Sequence, residues 1–175
     1  MPVLIAFADE HSARLSGCSL QSGGAEPTGG DEMLSPDLAA MIEQYHLAVD
    51  AFVTGDPEPQ KKLFSRRDNV TLANPLGPPA RGWSQVEDTL DRAAAVVREG
   101  EPVARERISE DATGEMAYIV EIERTRLKAG GADEVAPVSL RVTTIFRRED
   151  DAWKIAHRHA DPITTPRPIE SAMES

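Results

Sequence analysis

The chain has 175 residues, of which 30 are acidic and 19 are basic, and its formal net charge is -11. This length fits one domain with a hydrophobic core and a tail, and it is too short for two ordinary domains. The negative charge disfavours binding to nucleic acid or to an anionic membrane surface, because the basic residues form no strong cluster. We therefore expect neither partner.

The cysteine content and the length of the apolar runs bear on the cellular location of the protein. Cys18 is the only cysteine, which excludes an intramolecular disulfide and a cysteine-based zinc cluster. No apolar run approaches the roughly 20 residues that span a bilayer, and the start MPVLIAFADEH has no basic region of the kind that signal peptides carry. These features favour a cytoplasmic location.

The composition divides the chain into three parts. Residues 1–33 are rich in Ser, Gly, Thr, Pro and acidic side chains, with few large apolar groups. Such a segment buries too little surface to offset the entropy of ordering it, so it is predicted to be a flexible leader. Residues 34–163 are predicted to form the domain, and residues 164–175 a flexible tail.

The start of the first helix is predicted by Ser35, Pro36 and Asp37, which supply a capping hydroxyl, a first-turn proline and an acid at the positive helix end. It is predicted to continue to about Thr54, with Gly55 ending it. Its apolar residues recur at three- and four-residue spacing and form one stripe: Leu38, Met41, Ile42, Tyr45, Val49, Phe52 and Val53. This stripe must pack on a broad surface such as a sheet.

Shorter elements follow. Asp56 and Pro57 predict a second, short helix, and residues 69–73 predict a brief strand. Residues 74–82 (NPLGPPARG) hold three prolines and two glycines and predict an irregular loop. A third helix is predicted from a capping box of Ser84 and Glu87, with Gly100 ending it.

Alternating patterns replace helical ones from Val103 onward. Residues 103–110 predict an edge strand, 116–128 a long strand, 129–132 a turn, and 134–161 two further strands. In the long strand the even-numbered row is apolar and is predicted to face the core, whereas the odd-numbered row carries Glu121 and Glu123.

The last two strands are ambiguous, because both of their rows carry apolar residues. Either Arg141 and Thr143, or Val142 and Thr144, face inward, and a shift of one residue exchanges them. The final strand is predicted to place one row on a single face, namely Trp153, Ile155, His157 and His159. Helices followed by an antiparallel meander indicate an α+β domain.

The order of these elements, with VTLANPLG before the third helix and DAWKIAHRHADP at the end, resembles the nuclear transport factor 2-like superfamily, in particular its SnoaL-like branch. The resemblance implies a cone-shaped barrel, in which three N-terminal helices cover the concave face of a curved antiparallel sheet. It also implies an apolar pocket and a homodimer formed through the outer sheet face. Members of this superfamily include enzymes and pocketed proteins without a reaction, so the fold does not decide the function.

Two residues are candidates for catalysis. His159 could carry a proton with Asp161 as its partner, although two residues along a strand separate the backbones by roughly 7 Å. Asn74 stands where the superfamily commonly places a polar or acidic group at the pocket mouth. As a neutral amide it could orient a ligand carbonyl but could not act as a general base.

Five residues are candidates for contacting a substrate, namely Tyr45, Tyr118, Arg141, Thr143 and His157. If Arg141 faces inward, it could hold a carboxylate or phenolate, and if it faces outward it would pair with Glu121 or Glu123. His157 and His159 share a face, but no motif supplies the remaining ligands of a metal site. We therefore expect neither a metal nor another cofactor.

The resulting hypothesis is a SnoaL-like pocket protein that binds or converts a small organic molecule by cofactor-free acid–base chemistry. The alternative is a non-catalytic module for oligomerisation or ligand sensing, which the lack of a well-placed acidic base supports.

Overall fold

A computed structural model describes residues 34–172. This part of the chain contains three α-helices and six β-strands, followed by a short 3-10 turn at Ile169–Ala172. In chain order the elements are α1 (Pro36–Val53), α2 (Glu58–Leu63), β1 (Thr71–Ala73), β2 (Ala80–Arg81), α3 (Trp83–Ala94), β3 (Val97–Ala112), β4 (Met116–Ala129), β5 (Ala136–Glu149) and β6 (Ala152–Asp161).

The strands form one curved, unclosed sheet in the order β2-β1-β6-β5-β4-β3. The helices pack on its concave face, with α1 against β3 and β6, and α3 against β1, β2 and β3. The predicted α+β class and curved sheet are confirmed. One pairing differs from the antiparallel pattern, because β1 runs parallel to β6. The edge position predicted for residues 103–110 is also confirmed, since these residues belong to β3, which ends the sheet.

Helix α1 supplies the core with the apolar stripe that its sequence predicts. Leu38 and Tyr45 are fully buried, and the Tyr45 ring meets Phe146 of β5 edge to face at a centroid distance of 6.0 Å. Because aromatic pairs favour this arrangement, the contact fixes α1 over the middle of the sheet. Ser35 is the residue preceding the helix, as predicted, although its side chain makes no capping hydrogen bond within it.

The boundaries of α3 correct the prediction. The helix begins at Trp83 after Gly82, without the predicted capping box of Ser84 and Glu87, and it ends at Ala94 rather than near Gly100. Gly100 instead lies in β3, where a Cβ atom would be 2.5 Å from the carbonyl carbon of Val53. The glycine is needed there because the end of α1 passes directly over the strand.

The predicted facing of β4 is wrong. The odd-numbered row is buried against the helices, including Glu121 and Glu123, while the even-numbered apolar row lies on the outer face. Carboxylates can occupy the inner row because each of them meets cationic or hydroxyl donors from other elements.

A β-bulge in β6 also divides the row predicted for that strand. Ile145 pairs with His157 whereas Phe146 pairs with Ile155, so Ala156 is the extra residue. Trp153 and Ile155 consequently face the core, but after the bulge Arg158 faces the core, while His157 and His159 face outward. A bulge changes the alternation in this way because two residues of one strand oppose one of its neighbour.

No helix among residues 34–172 is long and apolar enough to cross a membrane. The leader predicted for residues 1–33 lies outside the described residues. Residues 162–171 are exposed.

Candidate functional site

A cavity of about 220 Å³ lies between the concave face of the sheet and the helices α1 and α3. Its apolar walls come from the end of α1, from α3, from the loop after β1 and from the inner rows of β4 and β5. The wall residues include Val49, Phe52, Val53, Leu72, Leu90, Leu127, Val138 and Leu140. Pockets for drug-sized ligands usually measure roughly 300–1,000 Å³, so this one suits a smaller molecule.

One ion pair gives the cavity its polar centre. Arg158 Nη2 donates to Glu123 Oε2 at 2.8 Å, and both side chains are buried while lining the cavity. Arg158 comes from β6 and Glu123 from β4, so the pair passes over the strand between them. Among the described residues Glu123 is the sole carboxylate that lines this cavity.

Tyr45 holds this ion pair from the side of α1. Its hydroxyl donates to Glu123 Oε1 at 2.9 Å and accepts hydrogen bonds from Arg158 Nε at 2.9 Å and from Thr144 Oγ1 at 3.1 Å. Burial raises the pKa of the Tyr45 hydroxyl well above its usual value, so the group stays a neutral donor. The network fixes both charged side chains before any ligand enters.

The ionisation of Arg158 is secured by its partners. Burial works to lower the pKa of its guanidinium, but Tyr45 and Glu123 outweigh burial and raise it. Its Nη1 atom makes no hydrogen bond to any residue in the range 34–172. The cavity therefore combines an apolar wall, a pair with no net charge, and one guanidinium nitrogen available to a ligand.

Asn74 and Tyr45 are the predicted site residues closest to this centre. Asn74 lines the cavity, and its Oδ1 accepts the Leu76 backbone N–H at 3.0 Å, which leaves its amide N–H groups and one lone pair of Oδ1 for a ligand. Tyr45 is fully buried behind Glu123 and Arg158 and does not line the cavity. Its contact with the site is therefore indirect.

The other predicted site residues lie on the outer face of the sheet. Register pairs Thr143 with His159, Ile145 with both His157 and Tyr118, and Arg141 with Asp161. None of these residues lines the cavity: of the two alternatives for Arg141 and Thr143 the outward one applies, and the pocket position expected of Tyr118 is wrong. The bulge in β6 and the inner position of Val142 and Thr144 are the physical reasons.

Local partners occupy these outer residues. Arg141 Nη2 donates to Asp161 Oδ2 at 2.7 Å, so its predicted pairing with Glu121 or Glu123 is also wrong. Burial works to raise the pKa of Asp161, but the hydrogen bonds from Arg141 and a backbone N–H outweigh it and lower the pKa. His159 Nε2 lies 3.6 Å from the same Asp161 oxygen, beyond hydrogen-bonding distance.

His157 shares the outer face with His159, and their ring centroids are 6.5 Å apart. Its Nδ1 atom lies 2.8 Å from Thr71 Oγ1 on β1. Desolvation and the charge of His159 lower the pKa of His157 below its ordinary value of 6.5. Within residues 34–172 no group of three or more His, Cys, Asp or Glu residues is arranged to hold a metal ion.

A second buried carboxylate lies outside the cavity. Glu121 accepts hydrogen bonds from Arg107 Nε at 2.9 Å and contacts His46 Nε2 with both oxygens, at 3.0 and 3.1 Å. These contacts join α1 to β3 and β4. Because none of Glu121, Arg107 and His46 lines the cavity and their contacts join separate elements, we assign the cluster a structural role.

Glu123 and Arg158 are the site residues that sequence reasoning missed. The available signal was a charged residue in the middle of a long apolar strand, which must be paired or solvated. That same signal was applied to Arg141, which proved to be on the exposed side. The same argument did not single out Arg158, because the bulge at Ala156, which places Arg158 on the inner face, is not visible in the sequence.

Together the curved, unclosed sheet and the helices on its concave face define a cone-shaped α+β domain. Residues 39–164 match the family model of the SnoaL-like domain, and the chain belongs to this family. Among curated proteins none matches the sequence significantly.

Solved structures share the fold at low sequence identity. A ketosteroid isomerase-like protein from Erwinia carotovora atroseptica has a TM-score of 0.62 and 16% identity, with 75% of this chain and 100% of that chain covered. A proposed dehydratase of the NTF2-like family from Streptomyces avermitilis has a TM-score of 0.60 and 20% identity, with coverage of 74% and 95%. A proposed calcium/calmodulin-dependent protein kinase type II association domain from Thiobacillus denitrificans has a TM-score of 0.59 and 22% identity, with coverage of 73% and 95%. Such similarity shows the fold alone.

Proposed function

We propose that this protein binds a small, largely apolar organic molecule in the cavity and holds an acceptor oxygen of that molecule on Arg158. The observation that carries the proposal is the Arg158–Glu123 pair, buried at 2.8 Å within otherwise apolar walls. Burying two charges costs several kcal/mol unless they are well paired. Apolar residues in these two positions would have given an equally closed core.

The charge balance of the cavity favours an uncharged ligand. Glu123 neutralises Arg158, so a carboxylate ligand would have to displace Glu123 or approach it at short range. A carbonyl or ether oxygen needs only one donor, and the guanidinium has Nη1 left to provide it. The ligand class is therefore a small cyclic or branched ketone, or a similar neutral oxygenated molecule.

The binding experiment compares indane with 1-indanone, which share a ring frame and differ by one carbonyl group. A hydrogen bond to a charged group contributes about 1.5–3 kcal/mol, so the ketone should bind roughly 10- to 150-fold more tightly. Calorimetry or ligand-observed NMR measures both affinities.

A matched variant makes this test specific. The triple variant Tyr45→Phe, Glu123→Leu, Arg158→Met removes both charges and the Tyr45 hydroxyl together, which avoids leaving an unpaired buried charge. This variant should bind the two compounds about equally. Absence of binding to the folded wild-type protein, or a preference for the ketone that survives in the triple variant, would contradict the proposal.

Acid–base conversion of the ligand without a cofactor is the second part of the proposal, with Glu123 rather than His159 as proton acceptor. Both Glu123 oxygens already accept hydrogen bonds, so a substrate proton has to compete with Tyr45 and Arg158 for them. The carboxylate therefore suits only a proton that is acidified by a carbonyl bound to Arg158. Two solved structures with this fold are described as a ketosteroid isomerase-like protein and a proposed dehydratase, and these descriptions support the proposal of acid–base chemistry.

Deuterium exchange at the carbon next to the 1-indanone carbonyl tests this conversion by NMR in D₂O. Wild-type protein should accelerate the exchange, and Glu123→Gln should abolish the acceleration while leaving measurable ketone binding. Binding without acceleration would instead establish the non-catalytic, ligand-sensing alternative.

We also infer that two copies of the chain pair through the outer face of the sheet. Met116 and Tyr118 are exposed there, and Val120, Ile122 and Ile145 are half-buried. A contiguous apolar surface of this kind on a sheet typically marks a protein contact.

A further inference from the structure

A second and larger cavity, of about 540 Å³, lies next to the first. It is formed by the proline-rich loop of residues 74–79 and by the exposed face of α3. Asn74, Leu76 and Ala93 line both cavities. Only a thin wall of side chains therefore separates the larger, outer cavity from the inner one.

The outer cavity differs from the inner one in its chemistry. Gln85, Asp88, Thr89 and Arg92 face it from α3, at the three- and four-residue spacing that places side chains on one side of a helix. The opposite side of α3 is buried through Val86 and Leu90. The polar groups are consequently held in place by a helix that is packed into the core.

Two opposite charges on this wall are available to a ligand. Neither Asp88 nor Arg92 forms an ion pair with any residue in the described part of the chain, and both are exposed. Arg92 Nη2 donates only to Thr89 Oγ1, at 2.9 Å. The wall thus offers a strong acceptor and a strong donor one helical turn apart. Gln85 adds amide N–H donors and the second lone pair of Oε1, which also accepts the Arg81 backbone N–H at 3.3 Å.

We propose that the two cavities form one binding site for an elongated, uncharged amphipathic molecule, which places its largely apolar part, with the oxygen that Arg158 holds, in the inner cavity and a hydroxyl-rich head group on Asp88, Arg92 and Gln85. This inference rests on the function proposed above and adds the class of head group. Neighbouring hydroxyls of a polyol or sugar both donate and accept, so they satisfy Asp88 and Arg92 together. A head group with a single charge would be attracted by one of these two residues and repelled by the other, so its charge gains little at this wall.

Leu76 is the partition between the two parts. It is 64% exposed and belongs to a loop with few backbone donors, because Pro75, Pro78 and Pro79 have none. Its side chain is the most readily displaced part of the shared wall, since Asn74 is tied to the loop backbone and Ala93 to the helix.

The test compares n-hexyl β-D-glucoside with 1-hexanol and with glucose, which separate the whole amphiphile from its tail and its head. Calorimetry on the full chain should show the glucoside binding at least tenfold more tightly than hexanol, with glucose alone giving no measurable heat. The double variant Asp88→Asn, Arg92→Met should reduce the affinity for the glucoside to that for hexanol and leave 1-indanone binding unchanged.

A control variant removes the same charges elsewhere. Glu106→Gln with Arg124→Met eliminates an exposed pair on β3 and β4, at 2.9 Å, and should leave all the affinities at wild-type values. Equal affinities for the glucoside and hexanol, or an advantage of the glucoside that persists in the double variant, would overturn the inference. If 1-indanone still binds in that event, the function proposed for the inner cavity stands, whereas failure of both 1-indanone and hexanol to bind would overturn that function itself.

Discussion

Arg158 and Glu123 lie two strands apart in the sheet, yet Arg158 Nη2 reaches Glu123 Oε2 at 2.8 Å across the inner face of β5. Thr144 of β5 lies beneath this bridge, and Tyr45 of α1 closes it from above. Four separate elements thus meet at one ion pair. The stability of the fold and the polarity of the cavity are therefore determined by the same residues.

Breaking this pair from one side should be strongly destabilising. Arg158→Met or Glu123→Gln leaves an uncompensated buried charge, and such changes typically cost about 3–5 kcal/mol. The triple apolar variant should lie much closer to wild type, because it leaves no charge behind. Urea denaturation measures the free energy of unfolding of each.

The exposed pair Glu106–Arg124 is the matched control for this prediction. Removing one partner of an exposed pair changes stability by about 0–1 kcal/mol. Single substitutions at Arg158 or Glu123 that cost no more than those at Glu106 would show that the buried pair contributes little to folding.

The register of the sheet shows what could be predicted from the sequence and what could not. Alternation along β4 and β5 correctly predicts the strands and their antiparallel pairing, because it depends on each strand alone. The choice of the inner row depends on whether Glu121 and Glu123 find partners, and those partners come from α1, β3 and β6. Local sequence carries no record of them.

The bulge in β6 is the second feature that could not be predicted from the sequence. A strand of ten residues with regular alternation predicts one face for Trp153 and His159, but a single extra residue at Ala156 separates them. Nothing in the residue types around Ala156 marks this insertion. The face on which His157 and His159 lie therefore could not be read from the sequence, although the fold itself was predictable from helix caps, stripes and turns.

Acid should destabilise the protein partly through Glu121. Burial works to raise the pKa of this carboxyl, but the hydrogen bonds and charges of His46 and Arg107 outweigh it, so the folded pKa lies below the ordinary value of 4.5. A carboxyl whose pKa is depressed on folding contributes stability above its unfolded pKa. That contribution is lost as the pH falls from about 4.5 through the lower, folded value.

Comparison of Glu121→Gln with wild type tests the sign of this effect. The variant should be less stable at pH 7, and its unfolding free energy should fall less steeply than that of wild type between pH 5 and pH 3. Glu106→Gln, which removes one partner of an exposed ion pair, serves as the control, and its unfolding free energy should stay close to that of wild type. Parallel curves for wild type and Glu121→Gln would contradict the assignment.

Gly100 is predicted to be intolerant of a side chain. A Cβ atom at this position would lie 2.5 Å from the carbonyl carbon of Val53, which is a backbone atom and cannot rotate away. Gly100→Ala should therefore separate the end of α1 from β3 and cost about 1–3 kcal/mol, as overpacking typically does. Because Val53 also lines the inner cavity, ketone binding should weaken as well.

Gly131→Ala provides the comparison for this substitution. A Cβ atom on Gly131, in the turn between β4 and β5, would meet no atom within 4 Å. Its denaturation midpoint should remain near the wild-type value. A Gly100→Ala protein as stable as Gly131→Ala would mean that α1 adjusts without strain.

The proposed pairing of two chains predicts a molecular mass of twice 19.0 kDa by light scattering. Val120→Lys with Ile145→Lys places two charges at the centre of the outer face, where a stable contact buries roughly 800 Å² on each partner. Desolvating these amines in an interface is costly, so the variant should have the mass of a single chain. Both side chains are half-buried at the surface of the sheet, so the lysines can reach solvent in an isolated chain.

Leu47→Lys distinguishes an interface effect from a general effect of added charge. Leu47 is 62% exposed on α1, away from the outer face of the sheet, and its replacement should leave the paired mass unchanged. A wild-type mass of 19.0 kDa over the range of working concentrations would refute the pairing. A paired mass that persists in the double lysine variant would place the contact on another surface of the domain, because two buried ammonium groups facing their symmetry copies would repel each other.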